Sequence, residues 1–279
     1  MEALTKENDL KLEVLISTMN KVSLAFVKEM FPYNNMLKDV NVLIVNQTEK
    51  GKELTSDFDN IRVINSYEIG LSKSRNLAVK NAVGDICLIA DDDVVYKEGF
   101  QEIIKKTFAT LPKVSIIKFK IETFCGKEYK SYPNTSKIIH KEKDMKEISS
   151  IEMAFKRKDI LKNNIYFNTF FGLGSNFLSG EEYLFLSDAI NKNLIIYFKN
   201  KFIVKHSFQR STSNLGSDNF IKAQTALYFH KYKNLGYLLL FKLVFFLLRK
   251  DYIKFKHVGR KIMVGLNAIK EYKKLNEAC

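Results

Sequence analysis

Four short runs rich in β-branched and other apolar residues, Leu12–Ser17, Val42–Val45, Ile61–Ile64 and Ile86–Ala90, recur through the first hundred residues. Each is too short for a helix, so each reads as a buried strand. A helical pattern near Lys21–Met30 separates the first two, and another near Ser72–Ala82, ended by Gly84, separates the last two. Strands joined through crossover helices run parallel, so this half is expected to be a Rossmann-like α/β sheet flanked by helices. Sheets of this kind bind ligands beyond the carboxyl ends of their strands. The residues to watch are therefore Thr18-Met19-Asn20, Asn46-Gln47-Thr48, the segment around Gly70, and Asp91-Asp92-Asp93.

Beyond residue 95 the spacing predicts a helix over Glu98–Thr110 and a strand over Ser115–Lys120. The polar stretch Glu122–Glu147 reads as an insertion or hairpin. A strand near Ile151–Lys156 follows, then a loop over Asn168–Gly180, a helix over Glu181–Asn191, and strands at Leu194–Phe198 and Phe202–Val204. A chain of 279 residues accommodates one large α/β domain, placed at 1–215 with halves meeting near 95, and a helical extension over 216–279.

Charge marks that extension. Thirteen Lys/Arg stand against three Asp/Glu from Phe220 to Cys279, so +10 of the formal +14 lies there. Within it Leu235–Leu248 is nearly all apolar, yet at 14 residues it falls short of the roughly 20 needed to cross a bilayer. It is either a helix buried on the domain or an interfacial helix. The basic surroundings favour the interface, with an anionic membrane surface rather than nucleic acid as partner. Cys87, Cys125 and Cys279 show neither disulfide nor zinc spacing, and the N-terminal residues carry no signal-peptide pattern; a cytoplasmic location is expected.

Three adjacent carboxylates after a buried strand are costly unless a cation neutralises them. In extended backbone Asp91 and Asp93 would share one side, suiting a divalent ion with diphosphate oxygens, while Asp92 would point elsewhere. Around this run stand Glu13-Val-Leu-Ile-Ser-Thr-Met-Asn20, Gly70-Leu-Ser-Lys-Ser-Arg-Asn76, Gly84 through Val94, Gly174 through Gly180-Glu-Glu-Tyr183, and Val204-Lys-His206. In this order and spacing, over about residues 12–206, the set resembles the family 2 glycosyltransferases, whose fold is GT-A, the nucleotide-diphospho-sugar transferase fold.

The resemblance implies a role for each matching residue. Thr18, Asn20, Arg75, Asp91 and Asp92 would line the nucleotide sugar, with the nucleotide half at about 1–95 and the acceptor half at about 96–215. Asp93, Asp91 and His206 would hold manganese or magnesium. Of the pair Glu181-Glu182 the second would be the general base. Neighbouring helical residues point about 100° apart, so one of the two faces the acceptor. A base is needed because the acceptor hydroxyl must lose its proton as it attacks the anomeric carbon. The implied reaction is a metal-assisted single displacement with inversion, from a nucleotide diphosphate sugar, UDP-linked, to a saccharide or polyprenyl-linked acceptor in cell-surface polysaccharide synthesis.

This sequence departs from the family pattern in places. The second strand ends in Val45-Asn46-Gln47-Thr48 without the usual Asp, leaving Asn46 to contact the base, and the general base is Glu where Asp is usual. There is no Gln-x-x-Arg-Trp motif and no tryptophan, which points to transfer of one sugar per acceptor rather than processive synthesis. Two other readings stay open. A nucleotidyltransferase would want a glycine-rich basic loop after the first strand, where Thr18–Lys21 has no glycine. A non-catalytic protein would use the basic tail on anionic lipid or nucleic acid.

Overall fold

The computed structural model describes residues 10–33, 36–140, 149–207 and 215–277. The chain divides into two compact units. The first comprises Met1–Ile69, Lys73–Phe167 and Glu182–Phe208; the second comprises Gly70–Ser72, Asn168–Glu181 and Gln209–Cys279.

The first unit is built on a sheet whose described strands are β1 (Leu12–Met19), β2 (Asn41–Gln47), β3 (Ile61–Ser66), β4 (Ile86–Asp91), β5 (Val95–Tyr96), β6 (Val114–Thr123), β7 (Lys137–Ile139), β8 (Met153–Lys156) and β9 (Ile195–His206). Their order is β3-β2-β1-β4-β8-β6-β9-β5, with β7 also paired to β9. From β3 to β4 every pairing is parallel, as the alternating pattern requires. β8 then pairs antiparallel with both β4 and β6, while β6 and β9 run parallel.

Both faces of the parallel half are covered, which is why its strands read as continuous apolar runs. Leu12, Val14, Ile16, Ile86 and Leu88 point to one side and pack with Phe26, Val27 and Met30 of α1 (Ala25–Met30) and with Phe100, Ile104 and Phe108. Leu15, Leu43, Val45, Cys87 and Ile89 point to the other and pack with Ala78 and Val79, and with Phe185, Leu186 and Ala189. A short helix α2 (Met36–Asp39) completes the first crossover, and α3 (Leu71–Asn81) carries Ala78 and Val79. α4 (Phe100–Thr110), α5 (Arg157–Lys162) and α6 (Glu181–Asn191) follow in chain order.

Glu13 interrupts the apolar run of β1 for a local reason. Its buried carboxylate accepts the N–H groups of Val83 at 2.6 Å and Gly84 at 2.9 Å and pairs with Arg62 at 2.7 Å, tying the turn before β4 to β1. A Cβ on Gly84 would lie 2.7 Å from the Glu13 Cβ, so glycine is required for this approach.

Several elements differ from the sequence expectation. The first helix begins at Ala25 rather than Lys21, because the amide of Asn46 holds both the N–H and the C=O of Lys21. The two short strands expected at 194–204 are one strand, β9, whose register against β6 shifts three times; these irregularities absorb the polar Lys199-Asn200-Lys201. Ser150–Glu152 is a 3₁₀ turn with a capping box from Ser149 to Glu152, so the expected strand starts only at Met153. The polar stretch 122–147 is a hairpin in part, since β7 adds to β9; its residues 141–147 lie outside those described.

In the second unit α7 (Asp218–Tyr232), α8 (Leu235–Arg249) and α9 (Val258–Glu277) form a small bundle. Ile221, Leu240, Val244, Leu247 and Ile253 are its core. The loop 168–181 belongs here because the rings of Phe171 and Phe177 pack at a tilt on Tyr272 of α9, and Phe171 meets His230 of α7 edge-on. The hydroxyl of Ser72 donates to the Phe171 carbonyl at 2.6 Å, tying 70–72 to the same loop.

Candidate active site

The register of the parallel strands assembles the site. Ser17 of β1 lies opposite Asp91 of β4, the last pair between these strands; β1 continues beside β2 through Thr18 and Met19, while the chain turns away after Asp91 and sets Asp92 beside Thr18. The Thr18 hydroxyl donates to Asp92 at 2.5 Å, and the Lys21 ammonium pairs with the same carboxylate at 3.0 Å. Extended backbone ends at Asp91: residues 92 and 93 form a turn. The expected alternation therefore stops there, and each of the three carboxylates meets a different partner.

Asp91 meets Arg75. Arg75 projects from α3 and is 1% exposed. Its guanidinium donates to Asp91 at 3.1 Å, to the Ser150 hydroxyl at 2.7 Å and to Glu182 at 3.3 Å, and it lies over the Phe167 ring. One cation thus holds the acid at the end of β4 and the acid in the first turn of α6. Its planar fork suits that task, since a lysine could not address two carboxylates and a hydroxyl at fixed angles. Crowding by protein atoms pushes the Asp91 carboxyl above the usual carboxylate range, against the pull of Arg75; the charges of Glu182 and Asp93 add to the rise.

Asp93 meets His206. The antiparallel pairing of β5 with β9 sets Val95 opposite Lys205 and brings the turn before β5 beside the end of β9. There the His206 Nε2 is 3.3 Å from the Asp93 carboxylate, and its ring packs edge-on against Tyr129. The contact lowers the Asp93 carboxyl and raises the His206 imidazole, each through the hydrogen bond between them. A carboxylate oxygen and an imidazole nitrogen face each other here, a mixed O/N pair of the kind that could contribute two ligands to a divalent transition-metal ion such as manganese. Among the described residues no three His, Cys, Asp or Glu side chains converge as a metal cluster.

The remaining expected residues are placed as follows. Asn20 sits in left-handed backbone at the tip after β1, exposed, with its N–H bonded to the Gln47 carbonyl. Asn46 is fully buried, and its amide is used on the Lys21 backbone and on Asn65. In this arrangement it fixes the loop after β1 instead of presenting a free edge to a base. Glu181 is buried near Ser72 and Gly172, where a Cβ on that glycine would approach its carboxyl carbon to 3.3 Å. Glu182 is the member of the pair that reaches Arg75.

Three residues at the site were not singled out in the sequence. Ser150 carries a readable cue, the Ser149-x-x-Glu152 capping box, but its bond to Arg75 spans 75 residues. Behind it Glu152, with no exposed surface, pairs with Lys130 at 2.9 Å and Lys118 at 3.5 Å and accepts from Tyr132, which anchors the 3₁₀ turn. Lys21 and Tyr129 have no local signal at all.

A parallel half joined to a mixed half, with an acidic turn after the fourth strand, is the arrangement of the GT-A fold. The sequence matches "Glycosyl transferase family 2" over residues 14–183, and the chain belongs to that family of enzymes. Among curated proteins no sequence matches it. Solved structures share the fold. S. aureus TarS residues 1–349 in complex with UDP-GlcNAc superposes with a TM-score of 0.58 at 14% identity, covering 94% of this chain and 80% of that one. The same TarS segment with UDP gives 0.54 at 14% identity, covering 93% and 81%. Against a longer TarS chain the score is 0.55, and this chain spans 46% of its length. At such identities the likeness concerns fold alone.

Proposed function

We propose that the chain transfers a single sugar from a nucleotide diphosphate sugar, UDP-linked, to the hydroxyl of a saccharide or polyprenyl-linked saccharide, with inversion. The observation that carries this reading is Arg75, which holds Asp91 and Glu182 on one guanidinium within the fold of a glycosyltransferase. Glu182 takes the acceptor proton, its carboxylate oriented by Arg75, while Asp91 meets the donor at the end of β4. Thr18, Asn20 and Asp92 line the nucleotide side, and Lys21 adds a positive charge there. Asp93 and His206 would hold a divalent cation, manganese or magnesium, whose chemistry is to offset charge on the departing diphosphate. The TarS complexes with UDP and UDP-GlcNAc support a uridine nucleotide here. The basic extension supports work in the cytoplasm at the inner face of a membrane, in assembly of a cell-surface polysaccharide.

Two variants test the assignment. Glu182→Gln should keep UDP-sugar binding, measured by calorimetry, and lose transfer or donor hydrolysis by roughly 10²–10⁴-fold, the usual contribution of a general base. Turnover near that of the native chain would remove Glu182 from the role. Asp93→Ala should abolish the extra thermal stabilisation that manganese gives together with UDP. If no nucleoside diphosphate with metal stabilises the native chain, the reading as a nucleotide-sugar transferase fails.

A further inference from the structure

The structure divides α8 into two apolar sides. Gly236, Leu240, Leu243, Val244 and Leu247 are buried in the helical bundle. α8 and α9 meet closely there, since a Cβ on Gly265 would lie 2.3 Å from Leu240. The opposite side recurs at the three- and four-residue spacing of a helix face, and on a bundle of this kind it is expected to be polar. It instead carries Leu235, Leu238, Phe241, Phe245 and Phe246, with Leu238 64% and Phe245 66% exposed. The segment after the helix adds Phe255, the most exposed large apolar side chain among the described residues at 81%.

From this face we infer a docking surface for an anionic lipid bilayer. It deepens the membrane part of the reading above and does not depend on sugar transfer. Charge selects the occupant. Between Leu235 and His257 the basic residues are Lys242, Arg249, Lys250, Lys254 and Lys256, all exposed, against a single acid, Asp251. A protein partner would want that apolar stripe covered by a rim of mixed sign. Aromatic and leucine side chains ringed almost wholly by cations match the boundary between acyl chains and anionic headgroups. The helix lies in the plane of the surface rather than through it, since no described helix is long and apolar enough to span a membrane. Lys242 and Arg249 reach headgroups from the helix itself by extending their stems along the apolar side chains.

The test is flotation of the full chain with vesicles of phosphatidylcholine alone and with a third phosphatidylglycerol. Binding should be strong to the anionic vesicles, weak to the neutral ones and reduced by salt. Lys250→Gln/Lys254→Gln/Lys256→Gln together should weaken the anionic partition on the order of a hundredfold, from about one kcal/mol per cation at the surface. Phe245→Ser/Phe255→Ser should lower it by at least roughly tenfold. Circular dichroism melts confirm that both variants fold, and unchanged donor hydrolysis shows that the catalytic unit is intact. Equal partition of native and variant chains would overturn the proposal. So would absence of vesicle binding with sedimentation showing a dimer that Phe245→Ser/Phe255→Ser dissolves, which would assign the face to a second copy. A native chain that binds the anionic vesicles but shows neither donor hydrolysis nor transfer would refute the enzymatic reading and leave this one standing.

Discussion

Replacing Arg75 with methionine keeps most of its length and removes its charge. The native guanidinium, 1% exposed, serves Asp91, Glu182 and Ser150. Removing one partner of a buried ion pair costs on the order of 3–5 kcal/mol because the charge left behind is stranded. The side chains of Asp91 and Glu182 are 36% and 21% exposed, so water relieves part of this, and roughly 2–3 kcal/mol is expected. At about 2–4 °C per kcal/mol for a chain of this size, the melting temperature should fall by roughly 4–12 °C. The pH dependence separates this from loss of packing. Burial already raises the Asp91 carboxyl against the pull of Arg75, and without Arg75 it rises further. A carboxyl raised in the folded state opposes stability at higher pH, so the deficit of the variant grows as pH rises and narrows as pH falls toward the ordinary carboxylate range. Differential scanning fluorimetry of both chains from pH 5 to 8 is the assay. A deficit that is flat across that range, or smaller than about 1 kcal/mol, would refute the hub described for Arg75. Arg75→Lys should recover stability but not transfer, since one ammonium cannot hold both carboxylates in place.

Other expectations follow from single contacts. Gly84→Ala forces its Cβ against Glu13 at 2.7 Å and should destabilise by roughly 2–3 kcal/mol in urea unfolding, with the slope unchanged. His230 is bonded to the Tyr272 hydroxyl at 2.5 Å, and burial, helped by Lys233 and Lys231, holds its imidazole below the usual value. The folded chain thus favours neutral His230: its contribution is complete above the ordinary value of 6.5 and is lost as pH falls below it. His230→Asn should therefore flatten the fall in melting temperature between pH 7.5 and 5.5 relative to the native chain. Ser150→Ala removes one acceptor from Arg75 and should lower turnover more than it raises KM for the donor, the sign of a positioning residue; a change in KM alone would make it a binding residue.

The periodicity of the first hundred residues determined the parallel half, because strands covered on both faces must be apolar throughout and cannot be mistaken for half-exposed ones. It also expected strands to end at Ser17 and Ala90, one to two residues short of the ends at Met19 and Asp91, and the family resemblance follows from motifs in that frame. What composition could not assign was the partner of each polar group. Asp91, Asp92 and Asp93 are consecutive, yet they engage Arg75, Lys21 with Thr18, and His206, because the backbone turns after Asp91 and the β5–β9 pairing brings in a residue 113 positions away. Asn46, at a strand end like the others, is committed to holding a loop, which only its two bonds to Lys21 reveal. The tail shows the same limit from the other side. Sequence alone makes Leu235–Leu248 apolar without saying which residues are inside, since an all-apolar helix has no polar face to mark the outside. The packing of α7 and α9 decided it, burying Leu240 and Leu247 and leaving Leu238 and Phe245 to the solvent.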